Sequence, residues 1–279
     1  MAQFLNIIST AIWVVTWLII GKFVFDRLYY KKVSLQMELF SKNNAAMGFS
    51  FSGFLAGMSV ALVTSIDPLY PPYINGTTGT ILLVVILLFT RLFDLIFMRK
   101  IDLPTQIIEK QNVAAGITEC SFFLSMGIIV SGSFVGGEIT SWSSMYLESI
   151  IYSIIGLILF FISSKIMSFI LKVDLEEELL EDNRAVATSF SGLFLGVSIV
   201  IHEVISGPIA GTILEDIGIT LLEWLISIVV MIILFYIFDL ILFRKFSFRA
   251  ELKEPNLGAG IVIGCLFMAS SLISFILTS

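Results

Sequence analysis

The chain has 279 residues, of which 57% are hydrophobic and 14% are charged, and its 16 lysines and arginines against 22 acids leave a net charge of −6. Soluble domains carry about 25% charged residues, so this composition excludes an ordinary water-soluble domain and indicates that the chain lies in a bilayer. The two cysteines, Cys120 and Cys265, both fall in apolar segments, which gives neither a disulfide framework nor a metal-binding spacing.

Apolar segments follow one another along the whole chain, and each is about 20 residues long, the length that a helix needs to cross a membrane. They cover residues 4–25, 44–65, 79–98, 112–133, 148–171, 184–206, 217–243 and 256–277. The first segment has no basic residue before Lys22, so we interpret it as a retained span rather than a signal peptide. The sequence therefore predicts an all-α integral membrane protein with eight transmembrane helices.

The basic residues all lie on one side of this arrangement. Every lysine and arginine falls in or next to the loops that join spans one and two, three and four, five and six, or seven and eight, the last with Arg244, Lys245 and Arg249. By the positive-inside rule this side faces the cytoplasm, which predicts a multi-pass protein of a bacterial inner (plasma) membrane with both termini outside the cytoplasm. The basic loops thus indicate topology, and we expect no binding to nucleic acid.

Every even-numbered span begins with a similar sequence motif of small and polar residues. NNAAMGFSFSGFLAG at residues 43–57 is closely matched by DNRAVATSFSGLFLG at 182–196, and spans four and eight carry weaker copies. The asparagines that align the copies lie 68, 71 and 73 residues apart and are Asn44, Asn112, Asn183 and Asn256. All copies enter from the same side, so the sequence predicts four parallel helical-hairpin repeats.

The odd-numbered spans repeat in the same register. Three hairpins have an aspartate 17 or 18 residues before the asparagine and the third hairpin has a lysine instead, which gives Asp26, Asp94, Lys165 and Asp239. We expect these charged residues to lie near the cytoplasmic end of each odd span. The aspartates either form local ion pairs, as of Lys22 with Asp26 and of Arg91 with Asp94, or reach across to the even helix of the same hairpin.

The even spans carry small residues nine and thirteen positions after the asparagine. They include Gly53 and Gly57 in span two, Ser121 and Ser125 in span four, and Gly192 and Gly196 in span six. Small residues spaced by four let two helix backbones approach closely, and this close packing drives helix association in lipid. We therefore predict that the even helices lie inside the protein and that the bulky odd helices face the lipid.

The repeats group into two four-helix membrane units, residues 1–136 and 137–279. An acidic stretch without glycine or proline, VDLEEELLEDNR at residues 173–184, lies in the cytoplasmic loop between helices five and six. We interpret this stretch as a joint between two units.

The aspartate, the Asn-x-Ala phrase 17 or 18 residues later and the following S-G-x-x-x-G pattern together resemble domain-of-unknown-function family 350 of prokaryotic integral membrane proteins. The resemblance covers residues 1–136 and 148–279. It implies two tandem four-span units in a bacterial inner membrane and implies no established activity. Lys165, in place of an aspartate, departs from the pattern.

Glu119 is the most distinctive candidate for chemistry. It lies seven residues beyond Asn112, inside span four, where the other hairpins have Phe51, Phe190 and Ile263. A carboxyl group inside a membrane is costly and is a functional candidate by default, here as a carrier of a proton or a cation. The alternative is a protonated structural glutamate that is hydrogen-bonded to a neighbouring helix.

The four asparagines also allow two interpretations. Asparagine caps helix N-termini, because its side-chain oxygen accepts a hydrogen bond from a free backbone N–H. A set of four such residues at one end of the even helices also forms a polar ring at the cytoplasmic mouth of a pathway. Both interpretations place the asparagines at the cytoplasmic ends of the even spans.

His202 lies near the outer end of span six and is followed by Glu203. The second histidine of a zinc-binding HExxH motif is missing, so the sequence does not predict a zinc hydrolase. We interpret His202 as an interfacial side chain or as a weak pH sensor.

The sequence contains no enzyme motif, and no loop exceeds about 20 residues, too few for a catalytic domain. We therefore expect neither an enzyme nor a cofactor. The first hypothesis is a channel or a proton- or cation-coupled transporter for a small ion, with Glu119 and the four asparagines along its path. The alternative is a non-conducting membrane scaffold, or a partner protein in the response to envelope stress. Besides the lipid bilayer, the expected partners are another copy of the chain or another membrane protein.

Overall fold

The computed structural model describes residues 2–31, 33–67, 69–134, 141–206, 211–242, 251–252 and 254–278. Within these ranges the chain is helical, contains no strand, and has eight helices that are long and apolar enough to cross a membrane. The prediction of an all-α protein with eight membrane-spanning helices is confirmed. Arg244, Lys245 and Arg249, in the loop after the seventh span, lie outside the described residues.

The eight long helices are numbered in chain order. They are α1 (Ala2–Val24), α2 (Ala45–Ser65), α3 (Pro72–Phe97), α4 (Val113–Ser133), α5 (Trp142–Leu171), α6 (Arg184–Ile205), α7 (Ile213–Leu242) and α8 (Leu257–Thr278). Helices α3 and α5 begin six or seven residues earlier than hydrophobicity predicts. Pro72 favours the start of α3 because the first helical position needs no N–H donor, and Ser141 caps α5 by accepting from the Ser144 amide.

Short helical segments precede α2, α4 and α6, and we call them the connecting helices. The first is a π-helical turn, Met37–Ser41, and the others are Leu103–Ile108 and Leu175–Leu180. After each of them the chain turns into the next long helix at an asparagine. The end of α1 also changes to a π-helical turn, Phe25–Tyr29.

The even-numbered helices pack in a row, with α2 against α4, α4 against α6, and α6 against α8. The row runs through both halves of the chain without a break. Burial is greatest at the centre of the row. In the most apolar 18-residue stretch of each helix, 72% of the residues are buried in both α4 and α6, compared with 50% in α2, 44% in α8 and 11% in α1.

Glycines allow the backbones of α2 and α4 to touch. A Cβ atom added at Gly53 would overlap the backbone of Cys120, and one added at Gly57 would overlap the backbone of Phe123. The contact is reciprocal, because a Cβ atom added at Gly127 of α4 would overlap the backbone of Gly57. Any side chain at these positions forces the two helices apart, so this contact requires glycine.

The contact between α6 and α8 is built in the same way. A Cβ atom at Gly192 would overlap the backbone of Gly264, and one at Gly196 would meet Phe267 and Ser271. The two contacts are equivalent, because Gly53 and Gly192 occupy the same position of their repeats.

Between α4 and α6, serines take the place of the glycines. Ser121 and Ser125 of α4 are both buried, and the Ser121 hydroxyl donates to the carbonyl of Thr118 in its own helix at 2.8 Å. From α6, the Ser191 hydroxyl donates to the Ile117 carbonyl of α4 at 3.4 Å. The Ser125 hydroxyl has no hydrogen-bond partner among the described residues, so the small size of this side chain rather than hydrogen bonding suits the close packing of helices.

Each odd-numbered helix after α1 packs against two even helices, its hairpin partner and the even helix before it. Helix α3 packs on α4 and α2, α5 packs on α6 and α4, and α7 packs on α8 and α6. Helix α1, which no even helix precedes in the chain, packs on α2 and α3.

The acidic joint at residues 173–184 is folded back onto the first half of the chain. The Lys100 ammonium, after α3, donates to Asp174 at 2.6 Å and to Glu177 at 3.2 Å, and the bond to Asp174 holds the pKa of that carboxyl below its usual value. At the other end of the joint, Asp182 accepts from the Ala114 amide of α4 at 2.8 Å. The ion pairs are exposed, so they orient the joint more than they stabilise the fold.

Alanine in place of Gly192 tests the tight contact of α6 with α8. The added methyl group overlaps the Gly264 backbone, so we expect the free energy of unfolding to fall by about 1–3 kcal/mol. The matched control is Gly218→Ala in α7, where a Cβ atom meets nothing within 4 Å and alanine favours the helix. Thermal unfolding in detergent compares the two variants, and an equal loss in both would contradict backbone contact between α6 and α8.

Candidate functional site

The Glu119 side chain of α4 is 1% exposed and is surrounded by hydroxyl groups. The Tyr29 hydroxyl donates to Oε1 at 3.0 Å, the Tyr30 hydroxyl donates to Oε2 at 2.5 Å, and the Ser50 hydroxyl also donates to Oε2. The end of α1 and the first half of α2 therefore meet at a carboxylate of α4. Both carboxylate oxygens are hydrogen-bonded, which offsets part of the cost of burying the group.

The π-helical turn at the end of α1 positions the two tyrosines. It covers Phe25–Tyr29, and the chain leaves helical geometry at Tyr30, with φ −108° and ψ 63°. The rings of the consecutive residues Tyr29 and Tyr30 lie 5.1 Å apart between centroids, and both hydroxyls reach Glu119. π-Helical turns are rare and are often found at functional sites.

Aromatic rings surround the carboxylate and its donors. The Phe25 centroid lies 5.5 Å from that of Tyr29 and 5.9 Å from that of Phe123, and the Phe54 centroid lies 5.5 Å from that of Phe123. Phe25, Phe54 and Phe123 are fully buried. Polar groups in such low-dielectric surroundings interact more strongly than they do in water.

A cation and a second carboxyl group border the site from α3. The Arg91 guanidinium lies 3.9 Å from the centre of the Tyr29 ring, and it donates to the Tyr29 carbonyl at 2.7 Å and to Asp94 Oδ2 at 3.3 Å. Asp94 Oδ1 is buried and makes no hydrogen bond to any residue that the structure describes. Asp94 and Glu119 interact electrostatically with each other and with Arg91.

The residues around Glu119 carry more negative than positive charge when both carboxyl groups are ionised. Arg91 contributes one positive charge, whereas Asp94 and Glu119 contribute two negative charges when both are ionised. A surplus charge at a buried site is costly, and two carboxyl groups that share a site avoid it by binding a proton or a cation. We call the group the Glu119 cluster, which consists of Tyr29, Tyr30, Ser50, Arg91, Asp94 and Glu119.

The four predicted asparagines cap the even helices. Their Oδ1 atoms accept from backbone amides of the first helical turn: Asn44 from Met47 at 3.1 Å, Asn112 from Ala115 at 2.8 Å, Asn183 from Ala185 at 3.1 Å, and Asn256 from Ala259 at 3.2 Å. The hydrogen-bond partners of Glu119 are hydroxyl groups, so the structure does not join the asparagines to the Glu119 cluster.

The side-chain amides of the first three asparagines also tie each repeat to the next one. The Nδ2 atoms donate to backbone carbonyls, from Asn44 to Ile107 at 2.9 Å, from Asn112 to Leu179 at 2.5 Å, and from Asn183 to Leu252 at 2.9 Å. The three acceptors occupy the same position of their repeats. One hydrogen bond therefore accompanies each helix contact of the row, at the ends where the helices begin.

Each asparagine amide also donates to a side chain five or six residues earlier. The acceptors are Glu38 at 3.0 Å, Gln106 at 3.4 Å, Glu178 at 2.7 Å and Glu251 at 2.8 Å. The sequence interpretation missed these four residues, as it missed the tyrosines and the serine around Glu119. A glutamate or glutamine followed by leucine or isoleucine stands before the asparagine in every repeat, and aligning the repeats over this region would have found it.

The fourth asparagine differs from the others in its backbone. The residue before the asparagine has a left-handed backbone in three repeats, with φ 52° at Asn43, 51° at Gln111 and 52° at Asp182. The fourth repeat has Pro255 there, whose ring holds φ at a negative value. The side chains of the first three asparagines are buried, whereas Asn256 is exposed.

The remaining charged candidates lie near the ends of odd helices. Asp26 accepts from the Leu35 amide at 2.9 Å and so holds the segment before the first connecting helix. Asp239 is half-buried on α7, and the exposed Lys165 lies 4.1 Å from the centre of the Phe97 ring. Of the two expected ion pairs, Arg91 with Asp94 is present, whereas Lys22 lies over the ring of Phe23.

His202 links the C-terminal ends of α6 and α4. Its Nδ1 atom lies 3.0 Å from the Ile128 carbonyl oxygen and 3.1 Å from the Ser131 hydroxyl. These partners are typical of a structural histidine between two helices. Among the residues that the structure describes, no group of three or more His, Cys, Asp or Glu side chains is placed to hold a metal ion.

Alanine in place of Asn183 removes a cap and a bridge to the next repeat. We expect the free energy of unfolding to fall by about 2–3 kcal/mol, of which about 1 is the cap and the rest comes from a buried carbonyl that loses its donor. The control is Asn256→Ala, which removes an exposed cap and should cost about 1 kcal/mol or less. Equal costs in thermal unfolding would show that the bridge contributes nothing.

Comparison with known proteins places this architecture in a family. The model of the family described as Domain of Unknown Function (DUF350) matches the chain twice, over residues 1–134 and 141–276. A protein from Aquifex aeolicus (strain VF5) named UPF0719 transmembrane protein is 35% identical over 265 residues, which cover 92% of this chain and 95% of the relative. No solved structure matches the chain. The chain is therefore a multi-pass membrane protein that belongs to the Domain of Unknown Function (DUF350) family, with two tandem copies of the family unit.

Proposed function

We propose that the Glu119 cluster binds and passes on a proton as part of a proton- or cation-coupled transport activity across the membrane. One observation carries the proposal: the buried Glu119 and the neighbouring Asp94 are two carboxyl groups, and the one guanidinium in the cluster pairs with Asp94, so that the cluster has room for one more positive charge. Intramembrane carboxyl groups in chains of polar side chains are typical of proton relays.

A proton needs no open pore here, because hydroxyl groups surround Glu119 and Asp94 borders the same site. The Tyr29 hydroxyl donates to Glu119 Oε1, and the Arg91 guanidinium links the Tyr29 carbonyl to Asp94 Oδ2. The side chain of Asp94 is 15% exposed, whereas Glu119 is 1% exposed, so Asp94 is the group nearer to the surface. We infer that the proton enters at Asp94, whose buried Oδ1 has no donor among the described residues, and crosses the Tyr29 hydroxyl to Glu119.

The proposed function includes an orientation in the membrane. We infer that both termini lie outside the cytoplasm, in a bacterial inner membrane, because the basic loops all fall on the opposite side. The four hairpins would then be parallel, with the even helices inside and the odd helices toward the lipid. In this orientation the Glu119 cluster lies toward the cytoplasmic side, and Arg91 and Asp94 border it there.

The second candidate function is a non-conducting membrane scaffold that binds another membrane protein. The complete hydrogen bonding of Glu119 favours it, since three hydroxyls and one carboxylate also serve to fasten α1 to α2 and α4. In either case we infer a non-enzymatic protein that needs no cofactor.

Proton flux into liposomes distinguishes the two candidates. We expect the purified protein to carry protons when a potassium gradient with valinomycin sets the membrane potential, and we expect Glu119→Gln and Asp94→Asn to lower the initial rate at least about tenfold. A pH-sensitive dye inside the liposomes measures the rate. The matched control is Glu38→Gln, which alters a buried carboxyl group outside the cluster and should leave the rate unchanged.

Stability measurements complete this test. Glutamine at position 119 keeps an acceptor for the hydroxyls, so Glu119→Gln should unfold at nearly the parent temperature, whereas Glu119→Leu should lose about 1–3 kcal/mol because its hydroxyl partners are left without an acceptor. If the parent protein shows no flux over a range of pH gradients and cations, the transport proposal fails and the scaffold remains.

Thiol labelling tests the proposed orientation. In a variant with Cys120 and Cys265 replaced by alanine, cysteine at Ser143 should react with an impermeant maleimide added outside intact cells, and cysteine at Gln111 should react only after the cells are opened. Both positions are exposed and lie at the N-terminal ends of α5 and α4, and these consecutive spans would run in opposite directions across the membrane. The reverse pattern would overturn the orientation without affecting the number of spans.

A further inference from the structure

We propose that copies of this chain associate head to tail, with α8 of one copy packed against α2 of the next, so that the row of even helices continues from copy to copy. The proposal is independent of proton transport, because none of the Glu119 cluster lies on α8. It rests on a helix contact that the chain builds three times and leaves half-built at both ends of the row.

Two of the three internal contacts, α2 with α4 and α6 with α8, share one register. Residues 4, 8 and 15 positions after the asparagine of one even helix pack on residues 2, 9 and 13 positions after the asparagine of the helix before it. Between α2 and α4 these contacts are Gly116 on Ala46, Cys120 on Gly53, and Gly127 on Gly57, and between α6 and α8 they are Gly260 on Ala185, Gly264 on Gly192, and Ser271 on Gly196.

Each end of the row exposes one half of this contact. On α2 these positions are Gly48, Ser52 and Ser59, and on α8 they are Gly258, Cys265 and Ala269. Ser52, Gly258 and Cys265 are exposed, and the other three are half-buried. A Cβ atom at Gly48 would meet only the Leu39 side chain at 3.8 Å, whereas Gly116 and Gly260 at the same repeat position lie against backbone. A Cβ atom at Gly258 would meet only the Asn256 side chain at 3.4 Å, whereas the equivalent Ala46 and Ala185 lie against the next even helix. The exposed face of α8 therefore corresponds to one side of the internal contact, and the exposed face of α2 corresponds to the other side.

The hydrogen bond of the row is incomplete at the same two ends. Asn44, Asn112 and Asn183 each donate to a carbonyl of the following repeat, whereas Asn256 is exposed and its amide donates to Glu251 of its own repeat. The carbonyl that matches Ile107, Leu179 and Leu252 is that of Leu39, and no asparagine of the described chain donates to it. In the proposed contact Asn256 of one copy donates to Leu39 of the next.

The packing of α1 gives an independent reason. Helices α3, α5 and α7 each pack on the even helix of the repeat before them, and α1 lacks this neighbour. Helix α1 has the least buried apolar window of all the described spans, 11%, and a groove of about 490 Å³ lies between it and α2, lined by apolar residues with Asn6 and Thr10. An α8 from a preceding copy would lie beside this groove.

The register predicts which residues meet. Position 9 of one helix lies on position 8 of the next, as Gly53 does on Cys120 and Gly192 does on Gly264. Across the proposed contact these positions are Cys265 of one copy and Ser52 of the next. A Ser52→Cys variant therefore places a new thiol opposite the natural one.

Disulfide crosslinking in liposomes tests the contact, in a Cys120→Ala background. With Ser52→Cys and the natural Cys265, oxidation with copper phenanthroline should link copies into dimers and longer species, because each copy carries one thiol at either end. The matched control is Ile158→Cys on α5, a 51% exposed position outside the proposed contact, which should give little crosslinking with Cys265.

Two further variants decide between outcomes. A mixture of Ser52→Cys/Cys265→Ala copies with copies that keep Ser52 and Cys265 should give only dimers that contain one copy of each kind. Crosslinking of Ser52→Cys/Cys265→Ala with itself would indicate a face-to-face contact and overturn the proposal, as would crosslinking no stronger than in the Ile158→Cys control. Gly258→Leu, on an exposed face, should leave the unfolding temperature unchanged and reduce the crosslinked fraction at least about fivefold.

Discussion

The close approach of the even-helix backbones is the constraint on which the rest of the structure depends. Lipid tails are as apolar as leucine, so burying large side chains does not hold helices together in a membrane, and van der Waals contact between backbones does. Gly53, Gly57 and Gly192 meet the neighbouring helix where no side chain fits. The row of α2, α4, α6 and α8 follows from this contact, and each odd helix after α1 packs on two helices of the row.

The asparagines set the register of the row. A capping oxygen binds the N-terminus of its own helix, and the amide of the same side chain binds the next repeat, so one residue fixes both where a helix begins and how far along its neighbour it lies. Backbone contact between glycines needs such a register, because a shift of one residue brings a larger side chain into the contact. The glutamates and the glutamine before the asparagines hold the amides in place.

Repetition and chemistry are separate in this chain. The helix contacts and caps occur in every repeat, whereas the tyrosines occur only in the first hairpin and Glu119 only in the second. At the position of Glu119 the second half has Phe190 and Ile263, both buried. The family unit therefore supplies a scaffold, and the junction of the first two hairpins places two carboxyl groups, one guanidinium and three hydroxyls around a single buried site.

The sequence by itself determined the eight spans, the helix starts at the asparagines and the unusual character of Glu119, because hydrophobicity, capping and repetition are local signals. Only the tertiary structure decided that the asparagine amides bridge successive repeats and that Tyr29, Tyr30 and Ser50 meet Glu119. These partners lie 90, 89 and 69 residues from Glu119, and the two tyrosines occur in one hairpin only, so the repeats could not reveal them. The π-helical turn that aims both tyrosines at one carboxylate depends on packing against α2 and α4, which no local pattern in the chain expresses.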